Sequence, residues 1–153
     1  MTGDAARREL IERDLLGQVR LPLTGWVARL YRHDGHPGRM VLNPGGGSLL
    51  SYELLPAAVP DQAAPDQLVL GAHHVGLPRA YGPAAVATLT LAYGVMSDEP
   101  PEVAFRQHRL WRPARTRQVR PLILADRIWL AEQAGHFDEV RTTCAGHTAV
   151  RLL

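Results

Sequence analysis

A chain of 153 residues that is 46% apolar and 21% charged is large enough to bury its own core, and it is read as one domain over residues 1–153. All 17 basic residues are arginine; arginine keeps its proton at any usable pH, so mechanisms that need a Schiff-base or general-base lysine are excluded. The formal net charge is only +2 and the acids are interspersed, which argues against nucleic acid as a partner.

In chain order, Asp4 can cap a helix beginning at Ala5, with Leu10, Ile11, Leu15 and Val19 on one face and Glu9 and Arg13 paired on the other. Thr24–Tyr31 reads equally as a short capped helix or as a strand. Asp34-Gly35 and Pro37-Gly38 make a turn before a strand near Met40–Leu42, and Asn43–Ser48 is a glycine-rich connector. That connector lacks the Lys-Ser/Thr ending of a phosphate loop and the spacing of a dinucleotide fingerprint. Leu49–Leu55 and Gln67–Val75 read as strands, separated by a Pro/Ala/Asp loop over Pro56–Pro65. Gly82-Pro83 then places proline in the first turn of a helix running to about Tyr93, with Val86, Leu89 and Tyr93 available for burial. Val103–Arg112 alternates, Pro113–Ala114 breaks it, and Pro121–Leu130 forms the second arm of a ribbon. Phe137–Thr143 and Thr148–Leu152 flank a turn at Cys144–His147. The sum is an α+β fold, two helices packed on an antiparallel β-sheet. Apolar antiparallel sheets with open edges often pair, which makes a homodimer the natural oligomer.

The single cysteine, Cys144, cannot form an internal disulfide, and no charged-then-apolar leader follows Met1; both fit a cytoplasmic location. No run approaches the roughly 18 to 20 apolar residues of a membrane span, so no membrane partner is expected.

Six arginines, Arg106, Arg109, Arg112, Arg115, Arg117 and Arg120, could anchor a carboxylate or phosphate, or simply be solvated; Arg115 and Arg117 are read as turn residues. Asp126 sits within the apolar run Leu122–Leu130. Strand alternation puts it on the face carrying Leu122, Leu124, Ile128 and Leu130, a setting that raises a carboxyl pKa and suits a general acid. The other reading is a structural ion pair with a neighbouring arginine. His73 and His74 are adjacent on a strand and point to opposite faces, so both cannot bind one metal, and no metal or other cofactor is expected. Cys144 and His147 could be imagined as nucleophile and base, but a lone cysteine beside a glycine turn is more often a small filler residue.

Three phrases, Arg13-Asp14-Leu15-Leu16, Leu23-Thr24-Gly25-Trp26, and Arg109-Leu110 leading to Pro121-Leu122-Ile123-Leu124-Ala125-Asp126-Arg127-Ile128, with the order of elements around them, resemble the chorismate pyruvate-lyase family and its ligand-binding relatives. The resemblance is spread loosely over residues 10 to 130. It implies a cofactor-independent elimination, with an arginine holding substrate carboxylates and an acid in the closing strand. Asp126 stands where the family has a glutamate. The family's arginine belongs on the strand matching Leu49–Leu55, where this chain has Ser51-Tyr52-Glu53.

Two functions follow as expectations. One is a cofactor-independent lyase or cyclase of specialised metabolism, acting on a small carboxylate- or carbonyl-bearing metabolite in an enclosed pocket. Asp126 would be its acid and Arg79, Arg106, Arg109, His73 and His74 its substrate contacts. The alternative is a non-catalytic small-ligand-binding or interaction domain.

Overall fold

The computed structural model describes residues 14–33, 36–43, 52–53, 64–78 and 86–153. Asp4 and residues 5–13 of the expected first helix, Asp34-Gly35 of the expected turn, residues 44–48 of the glycine-rich connector, all but 52–53 of the expected strand Leu49–Leu55, residues 56–63 of the loop after it, Arg79, and Gly82-Pro83 at the start of the expected second helix lie outside them. The described residues contain no α-helix; a single 3-10 turn, Pro65–Gln67, accompanies twelve β-strands. No helix of the described residues is long and apolar enough to cross a membrane.

The strands form three antiparallel sheets of four. In the first, β1 (Leu15–Arg20), β2 (Val27–His33), β3 (His36–Asn43) and β4 (Tyr52–Glu53) follow one another in sequence order. The second holds β5 (Gly71–Pro78), β6 (Val86–Val95), β9 (Leu122–Leu124) and β10 (Ile128–Ala134), in the order β5-β6-β10-β9. The third holds β7 (Glu102–Arg109), β8 (Arg112–Val119), β11 (Glu139–Cys144) and β12 (His147–Leu152), in the order β12-β11-β7-β8.

Strand alternation sorts the buried side chains into two cores and makes the second sheet the middle layer. One of its faces, Leu89, Leu91, Tyr93 and Val95 with Leu124, Ile128 and Leu130, packs on Ala28, Leu30, Met40 and Leu42 of the first sheet. The other face, Ala92, Trp129 and Ala131, packs on Val103, Phe105 and Val140 of the third, with Met96 and Phe137 beside them. Buried polar groups hold the connections to these layers. The Glu132 carboxylate, on a residue only 7% exposed, accepts hydrogen bonds from the Leu23 and Thr24 amides at 2.9 and 3.2 Å, fixing the β1–β2 turn to β10. Thr90 Oγ1 donates to the Gly135 carbonyl and accepts from the Phe137 amide, fixing the start of the β10–β11 connection. The Trp129 indole donates to the Leu68 carbonyl at 2.7 Å.

The expected α+β fold with two helices is therefore corrected to a β-rich one, whose described residues form antiparallel sheets and no α-helix. The segment read as the second helix is β6 from Val86 onward: residues Leu89–Met96 are buried without a break. Val86, Leu89 and Tyr93 fit a helical spacing, but a strand covered on both faces carries apolar residues on both, so a helical period can be found within it. Leu15 and Val19, placed on the first helix, lie in β1, paired with β2. The ambiguous segment after Thr24 is strand from Val27, and Thr24 Oγ1 accepts a bond from the Trp26 amide in the preceding turn. The ribbon also turns earlier than expected. β7 and β8 meet at Leu110–Trp111, so Arg115 and Arg117 are strand residues, not turn residues.

Gly94 lies opposite Trp129, and a Cβ there would collide with the Leu68 carbonyl and the Trp129 indole nitrogen. Gly94→Ala is expected to lower stability by about 1–3 kcal/mol through overpacking, read as a fall in the thermal midpoint. Glu132→Ala should cost about 1 kcal/mol by removing the acceptor of two part-buried amide donors, with Glu132→Gln, which keeps one acceptor, falling between it and wild type.

Candidate functional site

The β7–β8 hairpin combines three features that are each locally unfavourable. Its two-residue turn is Leu110-Trp111, with side chains 83% and 96% exposed. Such turns ordinarily take Asn, Asp or Gly. Trp111 has a φ of 61°, the left-handed region that costs a bulky residue most. Directly below, Arg109 faces Arg112 across the ladder, and like charges in that position repel. Neither guanidinium has an ion-pair or hydrogen-bond partner among the described residues. Strain and frustration of this kind concentrate where a surface serves something other than folding.

The rest of the hairpin is anchored. On its inner face Val103 and Phe105 join the core, Arg117 lies opposite Phe105, and the Arg115 guanidinium sits 5.8 Å from the Phe137 ring centroid, its stem covering the edge of the apolar layer. On the outer face Glu139, whose side chain is 5% exposed, takes Arg106 at 3.6 Å, Arg141 at 3.0 Å and His108 Nε2 at 3.3 Å. His108 Nδ1 contacts Asp138 at 2.6 Å and the His108 amide donates to the same carboxylate. Burial acts against ionisation of Asp138, but the side-chain and backbone hydrogen bonds from His108 outweigh it and hold the carboxyl below the usual range.

The structure scatters the residues expected to form one pocket. Arg106 is occupied by Glu139, and Arg109 is free at the hairpin tip. Asp126 does not share a strand face with leucines. The apolar run folds back on itself as β9 and β10, and Ala125 and Asp126, with φ of 52° and 54°, form the turn closed by the Arg127 amide donating to the Leu124 carbonyl. Asp126 is exposed there; aspartate tolerates the left-handed backbone that such a turn requires. His73 and His74 diverge. The His73 ring stacks on Tyr93, with Nε2 and Oη 3.4 Å apart, while His74 stacks on His136 at 3.7 Å and donates to the Phe137 carbonyl. Cys144 is buried, its thiol directed at the Glu99 carbonyl, and lies across the ladder from exposed His147. The described residues contain no group of three or more His, Cys, Asp or Glu side chains able to hold a metal ion. An open groove of about 450 Å³ lies at the root of the hairpin, between Pro100, Pro101, Glu102, Gln118, Arg120 and Pro121.

No family model, no curated protein and no solved structure matches this chain. None of these comparisons bears on the resemblance to the chorismate pyruvate-lyases. Trp111 is the residue that sequence reading missed. The signal was present: two adjacent apolar residues bracketed by Arg109 and Arg112, midway through an alternating stretch that had to reverse somewhere.

Burial, reinforced by the positive charge of Arg151, lowers the pKa of His73 below 6.5. Below its folded-state pKa the imidazole is charged in both states and its cost to the fold is complete; the cost fades as pH rises to the unfolded value. Wild type should therefore lose stability on acidification below about pH 6.5, and His73→Gln should lose less over the same range in parallel thermal melts.

Proposed function

We propose that this chain is a non-catalytic interaction domain that grips a partner protein with the β7–β8 hairpin, the partner offering an apolar pocket rimmed by carboxylates. The observation that carries the reading is the fully exposed Leu110-Trp111 pair between two unpartnered arginines. Tryptophan and arginine dominate binding hot spots, because one buries a large rigid surface and the other pairs with carboxylates through two parallel hydrogen bonds. A turn made of the residues least suited to it loses its exposure penalty once covered.

Two other anionic partners fit less well. An aliphatic Leu110 gives no platform for base stacking, and the net charge of +2 is small for a nucleic-acid binder. An anionic bilayer touching the tip would leave Arg117, six residues from Trp111 and so roughly 20 Å away along a strand, beyond the screening length of about 8–10 Å. A protein lying along the hairpin reaches both ends. The lyase or cyclase reading, with a small-molecule substrate, has no support in the geometry. Its proposed acid is in a solvent-exposed turn and Arg106 is committed to Glu139.

Panning a displayed random-peptide library against the domain tests this reading. Acidic peptides carrying an apolar anchor should be enriched, and Trp111→Ala should weaken the best of them at least about tenfold, or roughly 1.4 kcal/mol, with Arg109→Glu/Arg112→Glu abolishing binding. Peptides that bind Trp111→Ala as well as wild type, or binding confined to phosphatidylserine vesicles or oligothymidine, would overturn it.

A further inference from the structure

We propose that the open edge of β12 pairs antiparallel with β12 of a second copy of this chain, with Val150 on the two-fold axis. The third sheet has two edges among the described residues, β8 and β12, and they are built differently. β8 carries the usual guards against edge-to-edge pairing, Pro113 and the charges of Arg112, Arg115 and Arg117. β12 has no proline, and its one arginine, Arg151, turns back on its own chain to donate to the Leu70 carbonyl. Its outer face presents Thr148, Val150 and Leu152, with Val150 52% and Leu152 73% exposed.

Self-complementarity selects the occupant and the register. In a two-fold antiparallel pair each residue meets one of the same face, so the axis must pass through a residue position. Centred on Ala149, the ladder sets His147 against the partner's Arg151 twice over; centred on Arg151, it sets two arginines face to face. Centred on Thr148, it draws the turn residues Ala145 and Gly146 into the pairing. Centred on Val150, it joins Val150 to Val150 of the partner subunit, Thr148 to the partner's Leu152 and Ala149 to the partner's Arg151, with no cation opposite another. The result is a continuous eight-stranded sheet with β8 at each end. The pairing does not depend on the hairpin reading, but if both hold, the dimer carries two Trp111 hairpins and binds bivalently.

Light scattering across a dilution series should show the apparent mass rising toward twice the 16.8 kDa of one chain. Val150→Lys should stay monomeric with an unchanged circular dichroism spectrum. Under mild oxidation Val150→Cys should cross-link as a dimer and Thr148→Cys should not, because only the residue on the axis meets itself. A wild type that stays monomeric throughout, a Val150→Lys variant that still dimerises, or Thr148→Cys cross-linking as fast as Val150→Cys would overturn the proposal.

Discussion

The whole arrangement depends on the pairing of β6 with β10, seven residues on each strand from Ile128↔Val95 to Ala134↔Leu89, because that pair is covered on both faces. A sheet in that position cannot alternate apolar with polar; it must alternate between two apolar surfaces that differ in shape. Toward the first sheet it presents leucine, isoleucine, valine and tyrosine. Toward the third it presents small residues, Ala92, Gly94 and Ala131, around the one large indole of Trp129. The absence of a side chain at Gly94 is what lets the indole and the Leu68 carbonyl approach each other.

A doubly covered sheet also decides where polar groups can be placed. At its margins Glu132, Thr90 and the Trp129 nitrogen each meet a backbone partner from a connecting segment. In these places burial would leave a connection's amide or carbonyl unpaired, a cost comparable to a lost core contact. The connections are thus tied to the middle layer by the polar residues that would otherwise be faults in it. The outer face of the third sheet follows the same logic with charges, Glu139 being nearly enclosed by Arg106, Arg141 and His108. The hairpin tip departs from it, with its apolar residues uncovered and its cations unpaired.

Strand segments that alternate plainly and end in turn residues were legible in the sequence. The last two strands and the turn between them lie close to where composition puts them, because Ala145 and Gly146 both adopt the left-handed backbone of a tight hairpin. What failed was period. In β6, apolar residues on both faces, Leu89, Leu91, Tyr93 and Val95 on one and Ala92 on the other, satisfy a helical and a strand template alike, and in β1 Leu15 and Val19 are four apart, a spacing that serves either element. Asp126 failed for a different reason: a single polar residue in an apolar run reads as a buried acid when the run is one strand, and as a turn when it is two. Only long-range pairing of Leu122–Leu124 with Ile128–Leu130 separates those cases, and local sequence does not encode it. The divergence of His73 and His74, by contrast, followed directly from alternation, and the contacts each makes lie with different neighbours.

A rigid core explains how an unfavourable hairpin can be held outward: β7 is fixed by Val103 and Phe105 beneath and by β11 beside it, so the tip is presented without having to stabilise itself. Native-state hydrogen exchange tests that account most directly. If the middle sheet is the doubly buried centre, the amides of β6 and β10 exchange only through global unfolding, slowest in the molecule, while those of Leu110 and Trp111 exchange fastest. Rapid exchange in Leu89–Val95, or protection there lost in an event separate from that of β10, would contradict it.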